Sequence, residues 1–206
     1  MSIETRPEFV SCIEKLNVPD EKIMEISLGL ESANDMVLKY SINKGFTFAE
    51  WKKSAKEVLD MGMKLKTYLL IKPPFLTEEE AIEDAISSVE KIADYCDTIS
   101  FNPTAIHGYT LVEYLWKRNL YRPPWLWSIC SVLKKANEIF SGMLKCDIVA
   151  GGTKRGAHNC GKCDNSFLRA IKNYTIHGNK SAFKKLGCGC KEEWMDELEM
   201  EGFLTG

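Results

Sequence analysis

Short apolar runs alternate with longer amphipathic stretches along most of the chain. Lys22–Leu30 (KIMEISLGL) is short and apolar, preceded by an acidic turn and followed by Glu31-Ser32, and predicts a buried strand. In Thr47–Met61 the apolar residues Phe48, Trp51, Ala55, Val58 and Leu59 recur at helical spacing. Thr47 with Glu50 three residues on makes a capping box, and Gly62 ends the helix. Lys64–Ile71 (KLKTYLLI) predicts the next strand, stopped by Pro73-Pro74. Thr77 and Glu80 form a second capping box, opening a helix whose apolar face is Ala81, Ile82, Ala85, Ile86, Val89 and Ile92. Asp97–Asn102 predicts a third strand closed by Pro103, and Lys145–Ala150 (KCDIVA) a last short one. Tyr109–Lys117, Trp125–Phe140, Asn165–Tyr174 and Lys180–Leu186 read as helices. At the front, Ser2–Arg6 reads as a strand and Pro7–Leu16 as a short helix.

Strands separated by helices of this length make repeated βα units and a parallel sheet. Four or five units fit before residue 150, whereas a complete eightfold barrel needs about 200–250 residues. The pattern therefore predicts an α/β fold: a partial (β/α) barrel, a small doubly wound sheet, or part of a larger enzyme. Gly29, Gly45 and Gly62 lie in separate turns and make no dinucleotide or P-loop fingerprint. An isolated barrel half is expected to leave a sheet edge and an apolar interior uncovered, to be closed by another chain or by dimerisation.

Chemistry in such folds sits at the carboxyl ends of the strands. Glu4-Thr5-Arg6, Glu31-Ser32, Lys72-Pro73-Pro74-Phe75, and Asn102-Pro103-Thr104 with His107 fall there. Each residue alone reads equally as the point where solvent begins; the set at successive strand ends points to a ligand cleft. Trp51, Trp116, Trp125 and Trp127 read mostly as core, and Tyr121–Trp125 as core or as a partner surface.

Composition adds little at first. The 206 residues are 45% hydrophobic and 27% charged, an ordinary globular balance, with a net charge of −2. No run approaches a membrane span, and MSIETRPEFV is unlike a signal peptide. A soluble, cytoplasmic chain is the expectation. The charge is uneven, however. Ala150–Lys191 carries +8, Glu192–Gly206 carries −6, and the first 149 residues carry −4. This predicts a boundary: residues 1–149 as the partial barrel, and 150–206 as a basic cysteine-rich module with an acidic C-terminal helix.

Four of the eight cysteines stand alone, while Cys160, Cys163, Cys188 and Cys190 cluster. Cys160-x2-Cys163 and Cys188-x-Cys190 have metal-knuckle spacing, with Gly161 and Gly189 giving turn freedom. Four thiolates suit a structural Zn2+ ion, and they also suit an iron–sulfur cluster. His158 and Cys146 are substitute ligands, and a redox role for the CxxC is the weaker reading. Lys154, Arg155, Lys162 and Arg169 surround the pairs. They suit phosphate contact on RNA, or else a solvated face balanced by the acidic tail.

Six segments carry a family resemblance. ETRPEFV (Glu4–Val10), EISLGLES (Glu25–Ser32), NKGFTF (Asn43–Phe48), YLLIKPPFLTEEEAIEDAI (Tyr68–Ile86), SFNPTAIHGYTLVEYLW (Ser100–Trp116) and CDIVAGGTKRGAHNCGKCD (Cys146–Asp164) together resemble the archaeosine-biosynthesis radical SAM family, related to the Elongator catalytic subunit. The resemblance runs over nearly the whole chain. It implies a partial (β/α) barrel of radical SAM type, related to the TIM barrel, in an archaeal enzyme. It implies S-adenosylmethionine and a [4Fe–4S] cluster, and a tRNA substrate carrying a lysine-modified 7-deazaguanine. The implied reaction is a lyase step on the lysine C–N bond that leaves archaeosine. The implied partner is a lysine-transferring archaeosine synthase subunit. Glu31 and Ser32 fall where the family contacts S-adenosylmethionine; Lys72 and Asn102 are implied to contact it or the substrate; Thr5 and Arg6 end the first strand. The four cysteines match the family's C-terminal block, read as a metal-bound RNA-contacting module.

The sequence departs from the family in one respect: no CxxxCxxC occurs in it. It therefore reads as the C-terminal portion of such an enzyme, inactive alone and completed by an N-terminal barrel half or a separate chain. A non-catalytic, zinc-stabilised RNA-binding module is the alternative, and a zinc-stabilised small-molecule enzyme a third.

Overall fold

A computed structural model describes residues 2–15 and 25–204. Five strands form one parallel sheet: β1 (Ser2–Thr5), β2 (Glu25–Glu31), β3 (Lys64–Ile71), β4 (Thr98–Pro103) and β5 (Met143–Cys146). Their order in space is their order in sequence, and every neighbouring pair is parallel. A doubly wound sheet reverses its order at a switch point; this order runs straight through.

Six α-helices accompany the strands: α1 (Phe48–Asp60), α2 (Glu78–Ile92), α3 (Leu111–Trp116), α4 (Leu126–Ile139), α5 (Asp164–His177) and α6 (Lys191–Leu204). Both predicted capping boxes are present. Thr47 accepts from the Glu50 amide while Glu50 accepts from the Thr47 amide, and Thr77 and Glu80 do the same. Three acids fill the first turn of α2, where the helix dipole favours negative charge. Among the described residues no helix is long and apolar enough to cross a membrane.

Because strands rise with a period of two, the sheet has two chemically distinct faces. Ile26, Leu28, Leu65, Leu69, Ile99, Phe101 and Leu144 share one face and are at most 5% exposed. α1 packs there on β2 and β3, α2 on β3, and α4 and α5 on β5, the one-sided cover that right-handed crossovers produce. Phe167, Ile171, Tyr174 and Phe183, beyond residue 150, join the same hydrophobic cluster. The opposite face runs Ser27–Lys66–Thr98 and Gly29–Tyr68–Ser100 across the sheet, with Asn102 and Lys145 beyond. Lys66 Nζ lies 4.5 Å from the centroid of the Tyr68 ring. This second face is mixed: Ser27, Thr98 and Ser100 are buried on it, and Leu70 and Met143 stand beside Asn102 and Thr98. The same alternation that sends Ile26, Leu28, Leu65, Leu69 and Ile99 to the helices sends serine, lysine and asparagine the other way.

Several boundaries move. The strand predicted from Lys22 begins at Glu25, and Lys22–Met24 lie outside the described residues. The last strand is Met143–Cys146, not Lys145–Ala150. The Thr175 hydroxyl on α5 accepts from Cys146 N at 3.0 Å and donates to Cys146 O at 3.1 Å, which blunts that edge of the sheet. The chain then turns through Ala150 and Gly152, both with positive φ. The helix expected over Tyr109–Lys117 shortens to α3, since Tyr109 has φ 63°. The front helix is a 3-10 segment, Pro7–Lys15, and Lys180–Phe183 is another. A π-helical turn at Val37–Ile42, closed by left-handed Asn43, has no counterpart in the sequence reading.

Candidate metal centre and strand-end cleft

The cysteine knuckle is built by a tight turn and a returning helix. Gly161 adopts φ 86°, and Asp164 Oδ1 accepts from the amides of Asn159 and Gly161, each at 3.1 Å. Cys163 then caps α5, whose length and the following 3-10 turn bring Cys188 and Cys190 back to the first pair. The four sulfurs all lie within 4.8 Å of one another. Cys160–Cys163 is 3.9 Å, Cys160–Cys188 3.7 Å and Cys163–Cys190 3.7 Å. The set could hold one metal ion. The two substitute ligands are elsewhere: His158 Nδ1 lies 2.8 Å from the Gly156 carbonyl, and Cys146 is buried on β5.

Neutral donors surround the sulfurs. Asn159 Nδ2 donates to Cys163 at 3.3 Å and Trp127 Nε1 to Cys190 at 3.5 Å. Trp127 is fixed by an edge contact with Phe167 and by stacking on Trp194. Burial pushes the Cys163 thiol up to about 12 and raises Cys190. At Cys160 burial acts the same way, but the Lys162 and Cys163 amides bond the sulfur and bring it down to about 7. Four adjacent sulfurs do not all ionise in such surroundings unless a cation joins them.

A second cluster forms where β3 ends. Lys72 has φ 57°, and its Nζ donates to Glu78 Oε2 at 2.6 Å, with side-chain exposures of only 5% and 0%. Glu78 Oε1 accepts from the Trp125 amide at 2.8 Å and from Ser128 Oγ at 2.5 Å. Glu197, on α6, stands 3.9 Å from Lys72 Nζ and accepts from Trp125 Nε1 at 2.6 Å. Tyr121 donates to the Lys72 carbonyl at 2.6 Å, and burial raises its phenol. The Arg122 guanidinium stacks 3.8 Å from the Trp125 ring and donates to the His158 carbonyl at 3.1 Å; burial lowers its pKa. These contacts tie β3, α2, α4, α6 and the knuckle loop together.

Beside them opens a cleft of about 610 Å³, lined by Lys72, Trp116, Tyr121, Arg122, Lys154, His158 and Glu197 among others. That volume suits a small-molecule site. Lys72 is the strand-end residue that borders it. Glu31, with φ 74° at the end of β2, pairs with Lys44 at 2.7 Å. Ser32 is fully buried, donating to Asp84 Oδ1 at 2.8 Å and accepting from the Asn34 amide at 3.0 Å. Burial holds the Asp84 carboxyl above its ordinary range, against the pull of that hydroxyl. Asn102 is half-buried on the second face of β4. Arg6, just past β1, is exposed and donates to Glu8 at 2.7 Å.

Of the basic residues, Lys154 lines the cleft, and Lys162 and Arg169 are exposed. Arg155 is half-buried, pairing with Glu113 at 2.5 Å and donating to the Ile106 carbonyl at 3.2 Å. Sequence reasoning missed Glu78, Arg122, Ser128 and Glu197. Glu78 and Glu197 sit among other acids at the start of α2 and along α6, and nothing local distinguishes a buried carboxylate from its solvated neighbours.

No protein-family model matches the chain. In fold it is similar to a solved structure of Elp3 from Methanocaldococcus infernus carrying an N-terminal deletion. The TM-score is 0.62 at 21% identity, covering 86% of this chain and 42% of that one. In sequence it is 39% identical over 211 residues to archaeosine synthase subunit beta of Methanosarcina acetivorans, covering 99% of this chain and 60% of that protein. It is 42% identical over 197 residues to the protein of the same name from Thermococcus kodakarensis, covering 93% of this chain and 61% of that protein. The chain thus spans about three fifths of the length of the curated relatives it matches, and it resembles them from one end to the other.

Proposed function

We propose that this chain acts in the modification of tRNA to archaeosine, as the C-terminal part of a radical SAM lyase. The observation that carries the reading is 39–42% identity, over nearly the whole chain, to proteins named archaeosine synthase subunit beta. The substrate is a lysine-modified 7-deazaguanine in tRNA, and the reaction breaks the lysine C–N bond. The word subunit in the relatives' name supports a partner chain, the one that attaches the lysine. The sequential parallel sheet supports a partial (β/α) barrel with the second face as its lumen, completed by an N-terminal half or a separate chain. Residues 1–149 supply that half-barrel, and 150–206 a metal-braced module that grips tRNA. The setting is cytoplasmic.

Zn2+ is the ion we assign to Cys160, Cys163, Cys188 and Cys190. Four thiolates about 2.3 Å from one tetrahedral ion stand about 3.8 Å apart, and the sulfurs here are 3.7–3.9 Å apart at the three spacings given. A cubane cluster sets each thiolate on a separate iron and spreads them farther. A radical SAM cluster moreover uses three thiolates and leaves one iron open. The four cysteines fit neither, so no radical step is derived from them.

The remaining residues bind and orient. Glu31, Lys72 and Asn102 end three adjacent strands, which supports their facing S-adenosylmethionine or the modified base; Ser32, expected to join them, is fully buried against Asp84 and shapes the turn after Glu31 instead. Lys72 Nζ has three protons to donate and gives one to Glu78; an oxygen of a bound ligand completes it. Lys154, Lys162 and Arg169 meet tRNA phosphates, anchoring the substrate without reading its sequence; Arg155, expected to join them, is held by Glu113 and the Ile106 carbonyl and braces the loop.

Disruption of the gene followed by nucleoside analysis of bulk tRNA tests this reading. Archaeosine should disappear and its lysine-bearing precursor accumulate. Unchanged archaeosine would refute the reading. If the protein still bound tRNA, the second reading would stand: a zinc-stabilised RNA-binding module without catalysis, supported by the exposed Lys154, Lys162 and Arg169 beside the four cysteines.

A further inference from the structure

We propose that the segment after β4, residues 104–121, is a stacking platform for unpaired bases of the RNA. The inference rests on the tRNA reading above and adds a second kind of contact to the phosphate anchors. Tyr109 is fully exposed, yet its backbone is held at φ 63°, a conformation unusual for a tyrosine. The hold comes from Glu113, whose Oε2 accepts from the Tyr109 amide at 2.9 Å. Thr110 adds to it by donating to the His107 carbonyl at 2.8 Å and accepting from the Glu113 amide at 3.2 Å. A ring kept outward by that much local bonding is aimed at something outside the chain.

The next turn repeats the theme. Leu111 and Tyr114, three residues apart on one side of α3, are 51% and 52% exposed. The Arg118 guanidinium lies 3.5 Å from the centroid of the Tyr114 ring. Beneath them Ile106, Leu115 and Tyr121 form a small core of their own, with Val112 and Trp116 packed against it. The rings therefore project from a braced surface. Glu113 is the one acid in the segment, and it is already engaged by Arg155 and Lys117. What remains facing outward is aromatic and cationic together with Leu111 and Leu120, free of any unpaired acid, which complements a polyanion with stackable faces. A duplex hides its base faces, so the occupant is single-stranded, a loop or a splayed nucleotide. Trp116 borders both this segment and the Lys72 cleft, so a base stacked here stands beside it.

The test is tRNA binding by the whole chain, read as fluorescence anisotropy at several salt concentrations. The variants are Tyr109→Ala, Tyr114→Ala and Tyr109→Trp, with Lys154→Ala for comparison. Each alanine should weaken binding by between about fivefold and about a hundredfold while leaving the salt slope unchanged. Tyr109→Trp should bind as the native chain does. Lys154→Ala should instead reduce the slope by about one. A single-stranded oligonucleotide should compete, and a duplex of equal length should not. If the native chain binds tRNA and the tyrosine variants bind equally well, or lose affinity only through the slope, the platform is wrong and the tRNA reading survives. If the native chain does not bind tRNA at any salt concentration, both fall. Circular dichroism checks that the variants fold, as the exposure of both rings predicts.

Discussion

At the Lys72 cluster the buried charges meet opposite charges within the chain; at the knuckle the four sulfurs meet one another, neutral donors and the Asp164 carboxylate, 4.0 Å from Cys163 Sγ. Both join elements distant in sequence, the first almost wholly buried and the second buried only at Cys163 and Cys190. Glu78 accepts from Lys72, Trp125 and Ser128, so its carboxylate is fully engaged within the chain. Cys163 and Cys190 receive Asn159 and Trp127, which orient sulfur without neutralising it. A buried pair of this kind holds the fold in one arrangement and resists the loss of either member. A thiolate set holds its fold only when an ion supplies the charge. The first cluster is thus a fixed support for the cleft, and the second, under the zinc assignment proposed above, a brace that depends on metal.

The comparison breaks first at the knuckle. Removing the ion by chelation, or by Cys163→Ser, should forfeit stabilisation on the order of 10 kcal/mol from metal binding. Hydrogen exchange should then show α5 and α6 losing protection while β2 and β3 keep theirs. Equal loss in the central strands would mean the two clusters are one unit.

At the other cluster, Glu78→Ala strands the Lys72 ammonium in the interior and should lower stability by about 3–5 kcal/mol in urea unfolding. Replacing both partners, as Glu78→Gln with Lys72→Met, should recover much of that. If the double variant is no better than the single, the pair is not what Glu78 supports.

Trp127→Phe sharpens the contrast, because it keeps a ring and removes the N–H that donates to Cys190. Outer donors of this kind alter metal affinity by about 10–100-fold. Competition with a chromophoric chelator should register that loss, with urea stability of the metal-loaded protein nearly unchanged.

The smallest effect concerns Asp84, against the buried Ser32. Its folded pKa lies above its unfolded value, so the stability it contributes is present below the unfolded pKa and is lost as pH rises through the folded one. Asp84→Asn should flatten that decline as pH rises above the ordinary carboxylate range. An unchanged pH profile would place the carboxyl in solvent.

What could be read from the sequence was what neighbours in sequence determine. Thr47 with Glu50 and Thr77 with Glu80 define their helix starts within four residues, and both formed. Lys64–Ile71 has the bounds that its apolar run predicted. The paired cysteines were legible because a turn of that length already points two sulfurs at one place. The end of β5 was not, because it depends on Thr175, almost thirty residues on. The turn at Val37–Ile42 was not, since Ser41 is tied to the Pro74 carbonyl of a distant loop. Glu78 and Glu197 do not stand out from the acids beside them in the sequence, and only tertiary packing brings them to Lys72. The polar positions Ser27, Lys66 and Ser100 were written in the alternation of β2, β3 and β4 but were overlooked, as buried parallel strands are usually apolar on both faces.

The most direct test of the central contrast is X-ray absorption at the metal edge, on protein purified without added metal. The account predicts one zinc per chain, bound by four sulfurs at about 2.3 Å with no second metal in its surroundings. Iron with a metal–metal distance, or nitrogen and oxygen ligands in place of sulfur, would contradict it.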